Sequence, residues 1–225
     1  MSHSQDERRA LCALLDEKGP AAPTLCEGWA SRDLAAHLVL REHRPDAGMG
    51  ILGGPLAGYT EHVRQRLAQR TPYPELVDSV RHGPPRLSLF GIPGVDERAN
   101  LVEYFTHHED VRRGADGWQP REIGPGLAEQ LWERLSMARF ILRKAPVGIE
   151  LARSDVDGAD GQNLSGRKDA LRHRITVKNG TPVVTVVGHP GELTLWALGR
   201  TSAAQVRLEG AETAIKALNF THWRL

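Results

Sequence analysis

Apolar residues recur at helical spacing along the first two thirds of the chain. Leu11, Leu14 and Leu15 indicate a helix from about Gln5 to Lys18, which Gly19-Pro20 ends. Further helices are predicted from about Arg32 onward, then over 56–69, 75–82, 97–113 and 127–144. Glycine, proline or a capping residue bounds these segments. We expect the successive helices of residues 1–145 to form an antiparallel helical bundle.

The pattern changes after Pro146, where short apolar runs replace the long helical ones. Extended segments are predicted around Ile149 and Ile175, and Asn179-Gly180 is typical of a hairpin turn that leads into a strand over 183–187. Two short helices over 192–198 and 212–218 and a strand over 205–208 complete the prediction, with a mobile loop over 154–167. The fold class expected is therefore α+β: a helical bundle over 1–145, then a small α/β domain over 146–225.

Composition and charge exclude several classes of protein. The 225 residues are 40% hydrophobic and 25% charged with a net charge of +1, so disorder and nucleic-acid binding are both disfavoured. The first ten residues are charged where a signal peptide is apolar, and no run of about 18 apolar residues occurs. We expect a cytoplasmic protein that binds no membrane. Cys12 and Cys26 match no paired-ligand spacing, which favours two unpaired packing residues.

The most informative stretch for chemistry runs over residues 100–110. Glu103 and His107 are four residues apart, so a helix presents both side chains on one face. His37 lies within another predicted helix among leucine and alanine, where a buried imidazole needs a partner. Two histidines and one carboxylate leave positions open on a divalent metal, as in catalytic sites; zinc is the first choice, and iron or nickel accept the same set. The alternative is a hydrogen-bonded core histidine and an ordinary ion pair.

Four neighbouring residues are candidates for supporting roles. Arg41 lies one turn after His37, where its guanidinium can recognise a substrate carboxylate or form a salt bridge. Asn100 precedes Glu103 by three residues and can orient its carboxylate. His108 points about 140° away from Glu103 on a regular helix, so it cannot share the same ion readily. Tyr104 and His108 are candidates for relaying a proton.

Two segments carry a resemblance to a known family. Residues 24–29 (TLCEGW) and 33–38 (DLAAHL) resemble the N-terminal signature of the mycothiol-dependent maleylpyruvate isomerase family, which belongs to the DinB-like helical bundles. Residues 188–200 and 206–210 are similar to segments of the family's second domain. In that family a histidine on the second helix and an E-x-x-x-H pair hold a divalent metal, which here implies His37, Glu103 and His107. Residues 40–47 and the HHED run at 107–110 look more like an uncharacterised metal-binding subgroup than the isomerase itself.

The resemblance implies an enzyme that uses mycothiol in isomerisation or S-transfer on a small electrophile. In this hypothesis the metal activates the thiol, Arg41 holds the substrate carboxylate, and Tyr104 or His108 relays a proton. One alternative is a hydrolase that activates a metal-bound water. Another is a non-catalytic protein that binds metal, or whose C-terminal domain holds an apolar ligand as sterol-carrier-like domains do. The expected partners are a small thiol and its substrate, with the chain as a monomer or homodimer.

Overall fold

The computed structural model describes residues 2–48, 54–84, 95–155 and 173–219. The chain divides into two compact units, Met1–Pro120 and Arg121–Leu225. Helices make up most of the first unit, and the second holds a four-stranded sheet together with further helices. The predicted α+β fold class with an N-terminal helical domain is therefore confirmed.

The first unit is built from six helices within the described residues: α1 His3–Lys18, α2 Ser31–His43, α3 Pro45–Gly48, α4 Ala57–Arg70, α5 Tyr73–His82 and α6 Val95–Arg112. Ser2 caps α1 by accepting a hydrogen bond from the Gln5 backbone, and the positive φ of Gly19 ends that helix, as the sequence pattern predicts. Helix α1 packs against α5 and α6, and α2 packs against α4 and α5. Leu11, Leu15, Leu34, Leu38 and Leu76 are fully buried in the shared core.

Helix α2 is the central element of this unit. Most of its residues are buried, on more than one side of the helix: Ser31, Leu34, Ala35, Ala36, Leu38, Val39, Leu40 and Glu42. A helix that is buried around most of its circumference lies inside a bundle, whereas a surface helix has one apolar stripe. His37 therefore lies on an internal helix.

A compact loop over residues 19–30 connects α1 to α2. The Thr24 hydroxyl donates to the Trp29 carbonyl oxygen at 2.8 Å, and the Leu25 N–H donates to the Asp110 carbonyl oxygen at 3.0 Å. Gly114, just after α6, also lies against this loop, since a Cβ at that position would be 2.0 Å from the Pro23 carbonyl oxygen. These contacts hold the loop, with Cys26 and Trp29, against the end of α6.

The second unit contains four helices and four strands within the described residues. The helices are α7 Pro125–Arg134, α8 Ala138–Ile141, α9 Pro190–Ala197 and α10 Glu212–Asn219, and 3-10 turns Leu135–Met137 and Leu142–Lys144 flank α8. The strands are β1 Gly148–Arg153, β2 Arg174–Lys178, β3 Val183–Gly188 and β4 Arg207–Glu209, in the order β2-β1-β3-β4. Strand β1 is antiparallel to β2 and parallel to β3, and β3 is antiparallel to β4.

The predicted hairpin at Asn179-Gly180 is wrong. Strands β2 and β3 are consecutive along the chain, but β1 lies between them in the sheet. The connection instead passes the start of β1, where a Cβ on Gly148 would be 2.5 Å from the Gly180 carbonyl oxygen. Because both residues are glycine, the two backbones can approach this closely. The turn residues are thus used for a close crossing rather than a two-residue hairpin.

The segment over 125–144, which the sequence pattern assigned to the bundle, lies in the second unit. Trp132, Leu135 and Leu142 are buried in one cluster with Ile149 and Val184 of the sheet. The division between the two units falls between Pro120 and Arg121 along the chain rather than after residue 145. The helical periodicity of this segment could not show which core it would join, because an apolar stripe fits either one.

One further expectation lies mostly outside the described ranges. It is the mobile loop predicted over 154–167, of which only Ser154 and Asp155 are described. Among the helices of the described ranges, none combines the length and the apolar character needed to cross a membrane.

Candidate metal centre

Helices α2 and α6 bring His37, Glu103 and His107 together. One carboxylate oxygen, Oε1 of Glu103, lies 3.2 Å from Nε2 of His37 and 3.2 Å from Nε2 of His107. The three ligand atoms all lie within 4.8 Å of one another, and the two imidazole ring centroids are 5.2 Å apart. The grouping expected from the sequence is therefore present in the first unit.

The local geometry follows from the two helices. Glu103 and His107 are separated by one helical turn on α6, so their side chains project in the same direction. His37 comes from α2, 66 positions earlier than Glu103. Because α2 is an internal helix, the His37 imidazole contacts α6 with little exposure to solvent. The His37 side chain is 12% exposed and the His107 side chain is 9% exposed.

The charges of the three residues depend on one another. Burial alone would raise the pKa of Glu103, but hydrogen bonds with His107 and His37 hold it well below its usual value. Burial alone would lower the pKa of His107, but its contacts with Asp110, Cys26 and Glu103 hold it well above the ordinary value. Burial lowers the pKa of His37. The arrangement favours a positive charge beside Glu103, which a proton on His107 or a bound cation supplies.

The donor set fits a divalent metal ion. Two imidazole nitrogens and one carboxylate oxygen are ligands that zinc, iron and nickel accept, and three protein ligands are typical of sites that keep a position open for a substrate. Glu103 Oε1 lies 3.2 Å from each imidazole nitrogen, and all three ligand atoms lie within 4.8 Å of one another, which is close enough for them to contact one ion. His37, Glu103 and His107 are thus the residues that would hold it.

Trp29 packs against the site, a contact that the sequence pattern does not predict. Its ring centroid lies 5.3 Å from that of His37, and the Arg64 guanidinium lies 4.5 Å from the Trp29 ring. Arg64 is 6% exposed and forms ion pairs with Asp33 at 2.6 Å and Glu61 at 2.6 Å. Trp29 closes the TLCEGW segment, but only the tertiary contacts place it against a candidate ligand.

Arg41 lies at the site, although its guanidinium already has partners there. Its Nε is 3.5 Å from Oε1 of Glu103, and Nη1 donates to the Asn100 side-chain oxygen. Asn100 is fully buried, so this hydrogen bond holds the guanidinium beside the carboxylate. The role in substrate binding that the sequence suggested for Arg41 stays a prediction, as does the orienting role of Asn100.

Tyr104 and His108 face other partners in the described structure. The Tyr104 hydroxyl donates to Glu42 and accepts a hydrogen bond from Nε of Arg8 at 2.7 Å. Burial and the nearby Glu42 raise the pKa of Tyr104 far above its usual value. His108 Nδ1 lies 3.0 Å from Oε2 of Glu7 on α1, with both side chains buried. These contacts link α6 to α1 and α2, and the proton-relay role of either residue stays a prediction.

A second group of potential ligands lies behind His107. Cys26 Sγ is 3.2 Å from Oδ2 of Asp110, and the same oxygen is 2.8 Å from Nδ1 of His107. These three residues also have their ligand atoms within 4.8 Å of one another. The sequence pattern predicts a packing role for Cys26, and its polar contact with Asp110 is a feature that spacing alone did not indicate.

The comparison with known families identifies the first part of the chain. Residues 1–88 match the family model described as the mycothiol maleylpyruvate isomerase N-terminal domain. The match includes α2 with His37 and ends before Glu103, so the other two residues of the site are placed by the structure alone. No curated protein and no solved structure matches the chain. Residues 1–88 are therefore identified as a domain of the mycothiol maleylpyruvate isomerase N-terminal type, which the sequence of this segment resembles.

Proposed function

We propose that this protein is a metal-dependent enzyme that activates a small thiol, mycothiol, for isomerisation or S-transfer on an electrophilic, carboxylate-bearing substrate. His37, Glu103 and His107 would hold one divalent ion, with zinc as the first choice. The observation that supports this most directly is the cluster itself, in which one partly buried carboxylate contacts two imidazoles from two helices. The family match over residues 1–88 supports the choice of thiol.

The ion would supply one kind of chemistry, a lowering of the pKa of a bound thiol so that the nucleophilic thiolate is available at neutral pH. The residues of the chain supply the rest. Glu103 carries a negative charge that offsets part of the charge of the ion, and His37 and His107 are neutral donors when they bind it. Trp29 lies against His37 and limits the access of water from that side.

Arg41 gives the site its preference for an anionic substrate in this proposal. Its guanidinium lies 3.5 Å from Glu103 and donates to Asn100, which places it beside the three candidate ligands. A guanidinium is a planar fork of N–H donors and can bind a substrate carboxylate in the bidentate manner typical of arginine. Arg41→Lys is expected to raise KM for a carboxylate substrate more than it lowers kcat, because a lysine keeps the charge but loses the planar fork.

The first experiment measures metal content and thiol binding in the wild type, His37→Ala and a matched control. His62→Ala is the control, because His62 is an exposed histidine on α4. We expect about one ion per chain in the wild type and control, as for a three-ligand site. His37→Ala should lose the ion, by elemental mass spectrometry, and with it the binding of mycothiol, by calorimetry. A wild type without metal, or a His37→Ala protein that keeps both, contradicts the proposal.

A hydrolase with a metal-bound water is the second candidate, because the same three ligands would serve it. Turnover that depends strictly on added thiol favours the thiol enzyme, whereas turnover without thiol favours the hydrolase. Maleylpyruvate, the compound in the name of the matched domain, is the first electrophile to test. Metal binding without thiol affinity or turnover on any electrophile would instead indicate a non-catalytic metal-binding protein.

A further inference from the structure

The two ring nitrogens of His107 have different partners. Nε2 faces the candidate metal centre, 3.2 Å from Glu103 Oε1, whereas Nδ1 lies 2.8 Å from Asp110 Oδ2 on the opposite side of the ring. A neutral imidazole has one nitrogen that carries a proton and one that accepts. The nitrogen that carries the proton therefore decides which side of the ring can bind a cation.

Asp110 is held firmly in this position. It is fully buried, and its backbone carbonyl accepts the Leu25 N–H at 3.0 Å, which fixes the preceding loop to the end of α6. The Cys26 thiol on that loop lies 3.2 Å from the same carboxylate oxygen that contacts His107. An ionised carboxylate can only accept hydrogen bonds, so both Cys26 and His107 must donate to it.

We propose that Asp110 is a positioning residue for His107, with its carboxylate accepting Nδ1–H so that Nε2 is left to bind the metal, and with the Cys26 thiol fixing the direction of that carboxylate. This inference rests on the proposed metal site. A carboxylate behind a metal-bound histidine fixes the tautomer and ring orientation and makes the ligand nitrogen more basic. Asp110 needs no contact with substrate or metal for this role.

The contact geometry favours positioning over a second ion between Cys26, Asp110 and His107. The 2.8 Å separation of Nδ1 and Oδ2 lies within the normal range of an N–H···O hydrogen bond. Asp110 is also only three residues from His107 on α6, close enough for a direct contact along one helix face. The alternative, in which Cys26 is itself a ligand, gives a different spectroscopic result.

The first test compares zinc affinity in the wild type, Asp110→Asn and Asp78→Asn, by competition with a chromophoric chelator. Asp78 is an exposed aspartate on α5 and provides the same chemical change away from the site. We expect Asp110→Asn to bind zinc about 10- to 100-fold more weakly. Asp78→Asn should be unchanged, and equal affinities for all three proteins would overturn the proposal. Far-UV circular dichroism of the metal-free proteins checks the fold.

Cys26 supplies a second pair of variants if Asp110→Asn does not fold. Cys26→Ser keeps a donor toward Asp110 and should keep the wild-type zinc affinity, whereas Cys26→Ala loses the donor and should bind zinc several-fold more weakly. Loss of affinity in both variants together, with a thiolate-to-metal charge-transfer band in the Co²⁺-loaded wild type, would show that Cys26 coordinates the metal and would overturn the positioning role.

The nitrogen NMR spectrum of protein with ¹⁵N-labelled histidine tests the hydrogen bond directly. We expect a protonated His107 Nδ1 with and without zinc, and a changed Nδ1–H signal in Asp110→Asn. A zinc-loaded protein with an unprotonated Nδ1 would overturn the proposal. The signal of the metal-free protein reports the contact between Asp110 and His107 by itself. A wild type that binds no zinc would therefore overturn the proposed function, and the metal-free signal would still show whether the hydrogen bond exists.

Discussion

Replacement of Tyr104 by phenylalanine removes a buried hydroxyl that joins three helices. The hydroxyl donates to Glu42 on α2 and accepts from Arg8 on α1, and the tyrosine itself lies on α6 and is fully buried. Phenylalanine keeps the ring and its contact with the Arg8 guanidinium, 4.7 Å from the ring centroid. The variant therefore isolates the contribution of the hydroxyl.

The expected loss of stability can be worked out from these contacts. A hydrogen bond to a charged group contributes about 1.5–3 kcal/mol, and the Tyr104 hydroxyl is bonded to two charged side chains, Glu42 and Arg8. Arg8 and Glu42 form an ion pair at 3.4 Å that does not depend on the hydroxyl, and we expect this pair to compensate for part of the loss. We therefore expect the free energy of unfolding to fall by about 2–3 kcal/mol. At a slope of about 2 kcal/mol per molar urea, the midpoint shifts by about 1 M.

Urea unfolding followed by far-UV circular dichroism measures this shift, with Tyr59→Phe as the control. Tyr59 is 45% exposed and donates to Asp46 at 2.9 Å on the surface, so its loss should change stability by less than about 0.5 kcal/mol. A Tyr104→Phe midpoint no lower than that of Tyr59→Phe would refute the reasoning. Unchanged stability with a large loss of turnover would indicate a proton-relay role instead.

Two further predictions concern the same unit. The free energy of unfolding of the metal-free protein should have a maximum when it is plotted against pH, and should fall on both the acid and the alkaline side. His107 has a raised pKa, so its stabilising contribution is present below pH 6.5 and is lost as the pH rises through that raised value. His37 has a lowered pKa, so its contribution is present above pH 6.5 and is lost as the pH falls. Urea midpoints across the pH range test this, and His107→Gln should flatten the alkaline limb. Gly114→Ala should lower stability by about 1–3 kcal/mol, because its Cβ would be 2.0 Å from the Pro23 carbonyl oxygen. Gly58→Ala, where nothing lies within 4 Å, should be neutral or stabilising in a thermal melt.

The helices of the first unit were predictable because their signals are local. Leucines at helical spacing and a terminal glycine lie within one segment, and α1 and α5 have the extents that these signals indicate to within a few residues. The pair of Glu103 and His107 is local in the same sense, since a helix alone puts both side chains on one face. The short helix α3 was missed, because four residues around a proline carry too weak a periodic pattern.

Strand order, the core that 125–144 joins and the environment of each polar side chain were not predictable in this way. Asn179-Gly180 has the composition of a hairpin, yet strand β1 from earlier in the chain separates β2 from β3. Whether a turn forms a hairpin depends on which strand pairs with the next, and the turn sequence does not contain that information.

The sequence by itself determined the longer helices of the first unit, the fold class and the E-x-x-x-H pair, because the signals for each lie within a few turns of the chain. Only the tertiary structure decided that His37 meets that pair and that Cys26 meets Asp110, which are 66 and 84 positions apart along the chain. Contacts of such separation arise from the packing of whole helices around a shared core. The spacing of ligands along the chain can therefore suggest a metal site. The three candidate ligands come together only because α2 lies inside the bundle against α6.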